Sequence, residues 1–265
     1  MFRIAAVLSL SFIFTMELRS QWNQYEAIWE EHPGRMQVNM DIHRIAPLPD
    51  RPYLLEYSKQ LIDCDDNGFP EYQNDAQIEI DVSELIQQLE QSRLVVHAGR
   101  FYYQCIAKDY IYVSDTTGIG EIVGSEFGLK SNSKIVQDPD WNIYFDFIYP
   151  DAYLKQTMNN RLVIDALLLE EFDFSKKHLL THFAAFSDQY DRRKYRTFLL
   201  ELNFKILEES ESIEVGDEGN DPSYMIKFTR KDKVNLERLS NITLRLDTRA
   251  LSLSGAYLGW QIELD

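Results

Sequence analysis

Twelve residues close to the end of the chain, Ser252-Leu253-Ser254-Gly255-Ala256-Tyr257-Leu258-Gly259-Trp260-Gln261-Ile262-Glu263, restrict the fold more than any other stretch. They follow a long amphipathic segment, so a glycine here reads as a helix stop. Gly255 stands where the left-handed residue of that stop is expected. Beyond it, the period of an extended strand places Tyr257 and Gly259 on one face and Trp260 and Ile262 on the other. The chain is therefore expected to end as helix, glycine stop and aromatic strand, the closing unit of a layered helix-and-sheet domain.

Upstream segments fit that ending. Lys177–Phe186 reads as a strand and Asp191–Leu202 as a helix, with Tyr195, Phe198, Leu199 and Leu202 at i, i+3, i+4 and i+7. Phe204–Ser212 and Tyr224–Thr229 read as strands, Val234–Ala250 as a helix and Ala256–Leu264 as the last strand. Strand-helix-strand-strand-helix-strand is the split βαβ, ferredoxin-like order. A further helix over Arg161–Glu171 precedes it. The middle hairpin carries an acidic connection, Glu208 through Asp221, with seven acids and no base, read as a solvated tip.

The first half has a different rhythm. Tyr25, Ile28 and Trp29 precede a turn at His32-Pro33-Gly34-Arg35, after which Met36, Val38, Met40 and Ile42 alternate with polar residues. The pair reads as a hairpin. Tyr53–Ile62 is expected as a third strand after a proline-stiffened loop. Ser83 is the expected N-cap of a helix over Glu84–Arg93. Strands around Phe101–Ala107 and Tyr110–Ser114 are expected to join through Lys108-Asp109, followed by a short helix over Ile119–Phe127. The aromatic run Ile143–Tyr149 is expected to close this sheet as a strand. The fold class is thus α+β: two modules with mostly antiparallel sheets, the C-terminal one ferredoxin-like. The boundaries read as an extension over 1–19, a domain over 20–155 and a second over 158–265.

Charge limits the partners. The formal net charge is −16. Residues 1–155 hold 12 Lys and Arg against 24 Asp and Glu, a balance of −12, and residues 156–265 hold 15 against 19, a balance of −4. Such a surface repels phosphates and attracts basic proteins, so direct nucleic-acid binding is not expected. Residues 1–15 combine a basic start with an apolar run too short and interrupted for a membrane span. They read either as an export signal or as an extension before a true start at Met16. Cys64 and Cys105 lie far apart in apolar or strand-like settings and read as reduced core thiols of a cytosolic protein.

Chemistry-bearing motifs are sparse. His178 and His182 share a face at i, i+4 but lack the glutamate of a metalloprotease helix, and are expected as sheet-surface histidines. Thr116–Gly124 follows a strand and opens a helix, yet its glycine spacing and hairpin surroundings do not suit a dinucleotide cradle. Asp191-Arg192-Arg193-Lys194-Tyr195-Arg196 is a basic knot expected on a solvated helix face. No nucleophile, acid/base pair, metal site or cofactor stands out.

With these elements in place, residues 158–265 resemble the ribonuclease E inhibitor B family, also called RraB. The resemblance rests on His182-Phe183-Ala184-Ala185-Phe186-Ser187-Asp188, on a helix ending in Asn203-Phe204, and on Gly255-Ala256-Tyr257-Leu258-Gly259-Trp260. The family ending is Gly-Gly-x-Tyr-Asp-Gly-Trp; here Ser254 replaces the first glycine and Leu258 the aspartate. The first half resembles a domain of unknown function often fused to such a module, through the Trp22…Tyr25 hairpin, Gly68-Phe69-Pro70 and Asp138-Pro139-Asp140-Trp141. The resemblance implies a bacterial, cytoplasmic, non-catalytic protein without cofactors. Its partner is implied to be a protein, ribonuclease E-like and by charge basic, whose action on RNA it dampens. An enzyme or a small-ligand-binding, immunity-like protein is the alternative. Gly255, Tyr257, Gly259 and Trp260 are the candidate site, as a binding motif or as the structural end of the sheet.

Overall fold

The computed structural model describes residues 22–126, 131–170, 172–213 and 222–262. Its chain divides after Tyr149 into two compact units.

The N-terminal unit is built on one antiparallel sheet. β1 (Trp22–Trp29) and β2 (His32–Asn39) form the expected hairpin, but it turns at Glu30 and Glu31, both left-handed, and His32-Pro33-Gly34-Arg35 lies within β2. β3 (Tyr53–Gln60) follows the proline loop. α1 (Tyr72–Glu90) starts well before Ser83, so Ser83 is no cap. Its buried stripe of Ile78, Val82, Leu85 and Leu89 is helical in period, whereas its first turn is polar and offers no apolar signal. β4 (Val95–Tyr103) and β5 (Ile106–Val113) turn at Gln104 and Cys105, both left-handed, rather than at Lys108-Asp109. Asp109 is instead held inside the sheet by Arg100. α2 (Ile119–Glu126) and β6 (Ser131–Gln137) follow, and the six strands run β1-β2-β4-β5-β3-β6.

The aromatic run near residue 145 is not a strand. Tyr144–Ile148 forms a single π turn, closed by the Tyr149 amide donating to the Tyr144 carbonyl at 2.7 Å. The Asp138 carboxylate accepts from the amides of Asn142 and Ile143 and so caps the start of this turn. Its aromatics cover one face of the sheet: Trp141 stacks on Tyr112 with ring centres 3.7 Å apart, and Phe147 meets Phe101 edge-on. Apolar side chains of α1 and α2 pack over the opposite face. The closing strand of the sheet is β6, a polar edge strand paired with β3, whose sequence Ser-Asn-Ser-Lys-Ile-Val-Gln carries little apolar alternation.

The cysteines correct the sequence reading outright. Cys64 and Cys105 are joined in a disulfide, with Cα atoms 5.8 Å apart across 41 residues of sequence. The loop after β3 wraps round the β4–β5 turn, Leu61 N donating to Cys105 O and Cys105 N to Gly68 O, and this brings the two sulfurs together. Neither sequence separation nor local composition carries that fold-back.

In the C-terminal unit, α3 (Ala152–Leu168) leads into β7 (Lys177–Phe186), α4 (Gln189–Glu201), β8 (Lys205–Ile213), β9 (Pro222–Lys233), α5 (Leu236–Leu251) and β10 (Gly255–Ile262). The sheet order β10-β7-β9-β8, antiparallel throughout, is the ferredoxin-like arrangement expected. Asp151, Asp188 and Asn235 cap the three helices by accepting backbone N–H groups of the first turn. α3 begins nine residues before the expected Arg161, at the Asp151 cap. The acidic connection is strand as far as Ile213, and residues 214–221 lie outside the described residues, as does the 1–19 extension. Leu180, Ala184, Phe186, Tyr195, Leu199, Phe228 and Leu246 form the core between the sheet and its helices.

Candidate functional site

The four candidate residues of β10 take three different structural roles. Ser254, with φ of 51°, is the left-handed residue that ends the helix, and Gly255 is not. Gly255 is required instead by packing. The Phe186 ring lies against its Cα, and a Cβ would come within 2.6 Å of the Ala185 carbonyl oxygen. Gly259 is the reverse case, with φ of 106° and open space where a Cβ would point. It follows Leu258, the extra residue of a β-bulge: Tyr257 pairs with Ala184, and Gly259 with the next residue, Phe183.

That bulge overturns the expected facing. A regular strand would separate Tyr257 from Trp260, but the inserted residue turns both toward the helices, opposite Ala184 and His182, with Ile262 opposite Leu180. All three pack on the core of the unit. Leu258, at the family's acidic position, is the exposed one. A glycine inside a strand pattern is a bulge signal, and Gly259 was that signal in the sequence.

Turned inward, both aromatics are hydrogen-bonded. Trp260 Nε1 donates to Asn160 Oδ1 at 2.7 Å. Asn160 Nδ2 donates in turn to Thr243 Oγ1 at 3.0 Å and Ser240 Oγ at 3.3 Å. One buried amide thus ties β10, α3 and α5 together. The Tyr257 hydroxyl lies 2.8 Å from His182 Nδ1. His182 is not the sheet-surface histidine expected: it is fully buried, stacked on Phe228 and edge-on to Phe204. Burial, then the nearby Arg230 cation, pull its pKa down to about 3, so it is neutral at physiological pH. Burial likewise pushes the Tyr257 phenol well above its usual range. His178 lies on the same face, its Nε2 2.7 Å from the Asp173 carbonyl oxygen and its ring against Phe172. The arrangement fixes a sheet edge; it offers neither a nucleophile nor a charged base.

Two clusters lay beyond the sequence reading. The basic knot is not all solvated: Arg192 is buried, donates to the carbonyls of Ser210 and Met225, and pairs with Glu209. In the N-terminal unit, Arg100 and Asp109, each with a side chain 1% exposed, pair across β4 and β5 at 2.7 Å. Glu79 of α1 meets Arg100 at 2.5 Å, Tyr102 donates to Asp75 of the same helix, and His97 Nε2 lies 2.9 Å from Asp109 Oδ1. Burial opposes the Arg100 charge, but Asp109, Tyr102 and Glu79 outweigh it and raise its pKa. These residue types could do acid/base work, yet the pair is enclosed between sheet and α1, so the cluster acts as an internal strut. Gly118, left-handed, forms the glycine turn expected before α2. Among the described residues, no three metal-ligating side chains converge, and no helix is long and apolar enough to cross a membrane.

Comparison with known proteins places these features. No curated protein matches the sequence. Among solved structures, a putative glycine cleavage system transcriptional repressor is 10% identical, with a TM-score of 0.24 over 80% of this chain and 98% of its own. An unknown protein from Galdieria sulphuraria is 8% identical, with a TM-score of 0.26 over 81% of this chain and 99% of its own. Residues 20–149 match a family of unknown function, DUF695, and residues 157–262 match the family Regulator of ribonuclease activity B.

Proposed function

We propose that this protein is a non-catalytic regulator that binds a ribonuclease and slows its action on RNA. The observation that carries this reading is the match of residues 157–262 to a family of ribonuclease regulators. The charge of the chain supports it: a net −16, concentrated in residues 1–155, suits a ribonuclease E-like partner, since proteins that hold RNA present basic surfaces. Attraction of this kind speeds encounter more than it tightens the complex. In this reading the N-terminal and C-terminal units are separate domains, divided after Tyr149 rather than at residue 155, the acidic first one steering the partner and the second one gripping it. Gly255, Tyr257, Gly259 and Trp260 contribute by shaping the sheet edge at which Leu258 is presented.

The test is to capture ribonuclease E on the immobilised full chain at low ionic strength and to follow cleavage of a labelled RNA with and without the protein. A complex that dissolves as salt screens the charges, together with slower cleavage, is the expected result. Absence of a complex, or cleavage unchanged at saturating protein, would refute the reading.

A further inference from the structure

Among the described residues of the C-terminal unit, the helices pack on one face of the sheet. Tyr195 of α4 packs against Phe186 and Phe228, its hydroxyl donates to Leu246 O of α5, and α3 reaches Trp260 through Asn160. All of these strand residues share the inward face. The strand register puts a different set on the reverse face: Lys177, Leu179, Thr181 and Phe183 of β7, opposite Lys233, Lys231, Thr229 and Lys227 of β9. Lys205 of β8 stands beside Thr229, and Glu208 beside Lys227.

This face inverts the electrostatics of the molecule. It carries five lysines and one glutamate in a chain of net charge −16. Among the described residues none of the five has an ion-pair partner. On the helix side of the same unit, by contrast, Arg192 and Arg196 share Glu209, and Arg230 and Arg238 share Asp232. Lys177 and Lys233 stand directly opposite one another, a cross-strand arrangement that costs stability when nothing neutralises it. Between the lysines lie apolar groups: Leu179 is 52% exposed, and Phe183 is half-buried with the Lys227 ammonium 5.8 Å from its ring centre.

We infer that this sheet face binds an acidic protein segment, its carboxylates meeting Lys205, Lys227 and Lys231 and its aliphatic side chains lying on Leu179 and Phe183. Single-stranded nucleic acid would satisfy the same charges, but it gains its affinity from several aromatic platforms on which bases stack. Among the described residues this face has one ring, already engaged by Lys227, and the surrounding chain repels a long polyanion. A segment that is both acidic and aliphatic uses every feature of the surface. The inference rests on strand register and charge alone. It calls for a partner segment of opposite sign to the basic ribonuclease surface proposed above, so the two succeed or fail separately.

The experiment is fluorescence anisotropy of a labelled peptide of glutamates with interspersed leucines, titrated with the full chain at low ionic strength. A labelled single-stranded RNA is titrated in parallel. The wild-type chain should bind the peptide in a salt-sensitive manner, and Lys205→Gln/Lys227→Gln/Lys231→Gln should weaken binding by about tenfold or more. Arg193→Gln/Lys194→Gln, on the helix layer, should change it by less than about twofold. Carboxyl-to-lysine crosslinking of peptide to wild-type protein should map to Lys227 and Lys231, a readout that does not depend on any variant folding. Failure of the wild type to bind the peptide, equal weakening by the helix-layer variant, crosslinks elsewhere, or tighter binding of the RNA would each overturn the assignment.

Discussion

Two buried polar clusters, one against each sheet, are built by different chemistry. In the N-terminal unit the enclosed groups are ionised: Arg100 and Asp109 face each other inside the sheet, with Glu79 of α1 completing the cluster, and a disulfide closes the loop nearby. In the C-terminal unit the groups enclosed beneath β10 are neutral: Tyr257 with His182, and Trp260 with Asn160, Ser240 and Thr243. The buried charges of that unit, Arg192 and Asp232, pair elsewhere with partners that reach solvent. A buried ion pair adds little net stability over an apolar pair, but losing one member strands the other charge in a low dielectric. A neutral network loses only a hydrogen bond when cut, yet it becomes vulnerable when one member can take up a proton. The units should therefore fail under different insults.

The largest effect is expected from Asp109→Ala. It leaves the buried Arg100 guanidinium with Glu79 as its remaining carboxylate partner and should destabilise the N-terminal unit by about 3–5 kcal/mol. Hydrogen exchange should show β4 and β5 opening while β7 and β9 keep their protection. Replacing Arg100 and Asp109 together by leucine should restore much of the loss. If Asp109→Ala costs less than about 1 kcal/mol, the charged strut is not what holds this sheet.

Next comes the disulfide. Cys64→Ser, or reduction of the wild type, should cost about 2–4 kcal/mol through the extra freedom of the unfolded chain. The two treatments should give the same loss, and reduction should add nothing to the serine variant. The exchange readout again separates the units, because the disulfide closes a loop within the N-terminal one.

In the C-terminal unit the sensitive condition is acid. His182 has a folded pKa of about 3, below the ordinary histidine value of 6.5, so between these limits the unfolded chain binds the proton and the folded chain does not. Its contribution is fully present above pH 6.5 and is lost as pH falls toward 3. The slope is about 1.4 kcal/mol per pH unit, which makes about 2–3 kcal/mol by two units below 6.5. His182→Phe, stacked in the same place on Phe228, should flatten that slope in urea titrations at stepped pH. An unchanged slope would mean that other groups set the acid limit.

These differences were unevenly visible beforehand. The C-terminal order was legible because each strand alternates cleanly and each helix carries an apolar stripe, so Lys177–Phe186 could be bounded to the residue. What sequence pattern could not carry was the non-local part. The Leu258 bulge turns Tyr257 and Trp260 to the same side, though Gly259 hinted at it. The lysine face emerges only when Lys205, Lys227 and Lys231, spread over two strands, are brought into register. In the N-terminal unit the aromatic run around Phe145 was apolar enough for a strand, and the Asp138 cap that makes it a π turn acts through backbone amides that leave no periodic trace. Arg100 and Asp109 looked like ordinary strand charges, since nothing local marks them as partners.

The smallest effect separates the two glycines of the motif. Gly255→Ala places a methyl group against the Phe186 ring and the Ala185 carbonyl, an overpacking that should cost about 1–3 kcal/mol. Gly259→Ala has room for its methyl group but forces an L-residue to φ of 106°, and should cost about 1–2 kcal/mol through backbone strain. The magnitudes overlap, so the causes are told apart by a second substitution. Phe186→Leu retracts the ring and should recover part of the Gly255→Ala loss while doing nothing for Gly259→Ala. Asn at 259, a residue more tolerant of positive φ, should recover part of the other loss, whereas Asn at 255 should be worse than Ala. The opposite pattern would mean that the bulge, and with it the inward turn of Tyr257 and Trp260, is wrongly placed.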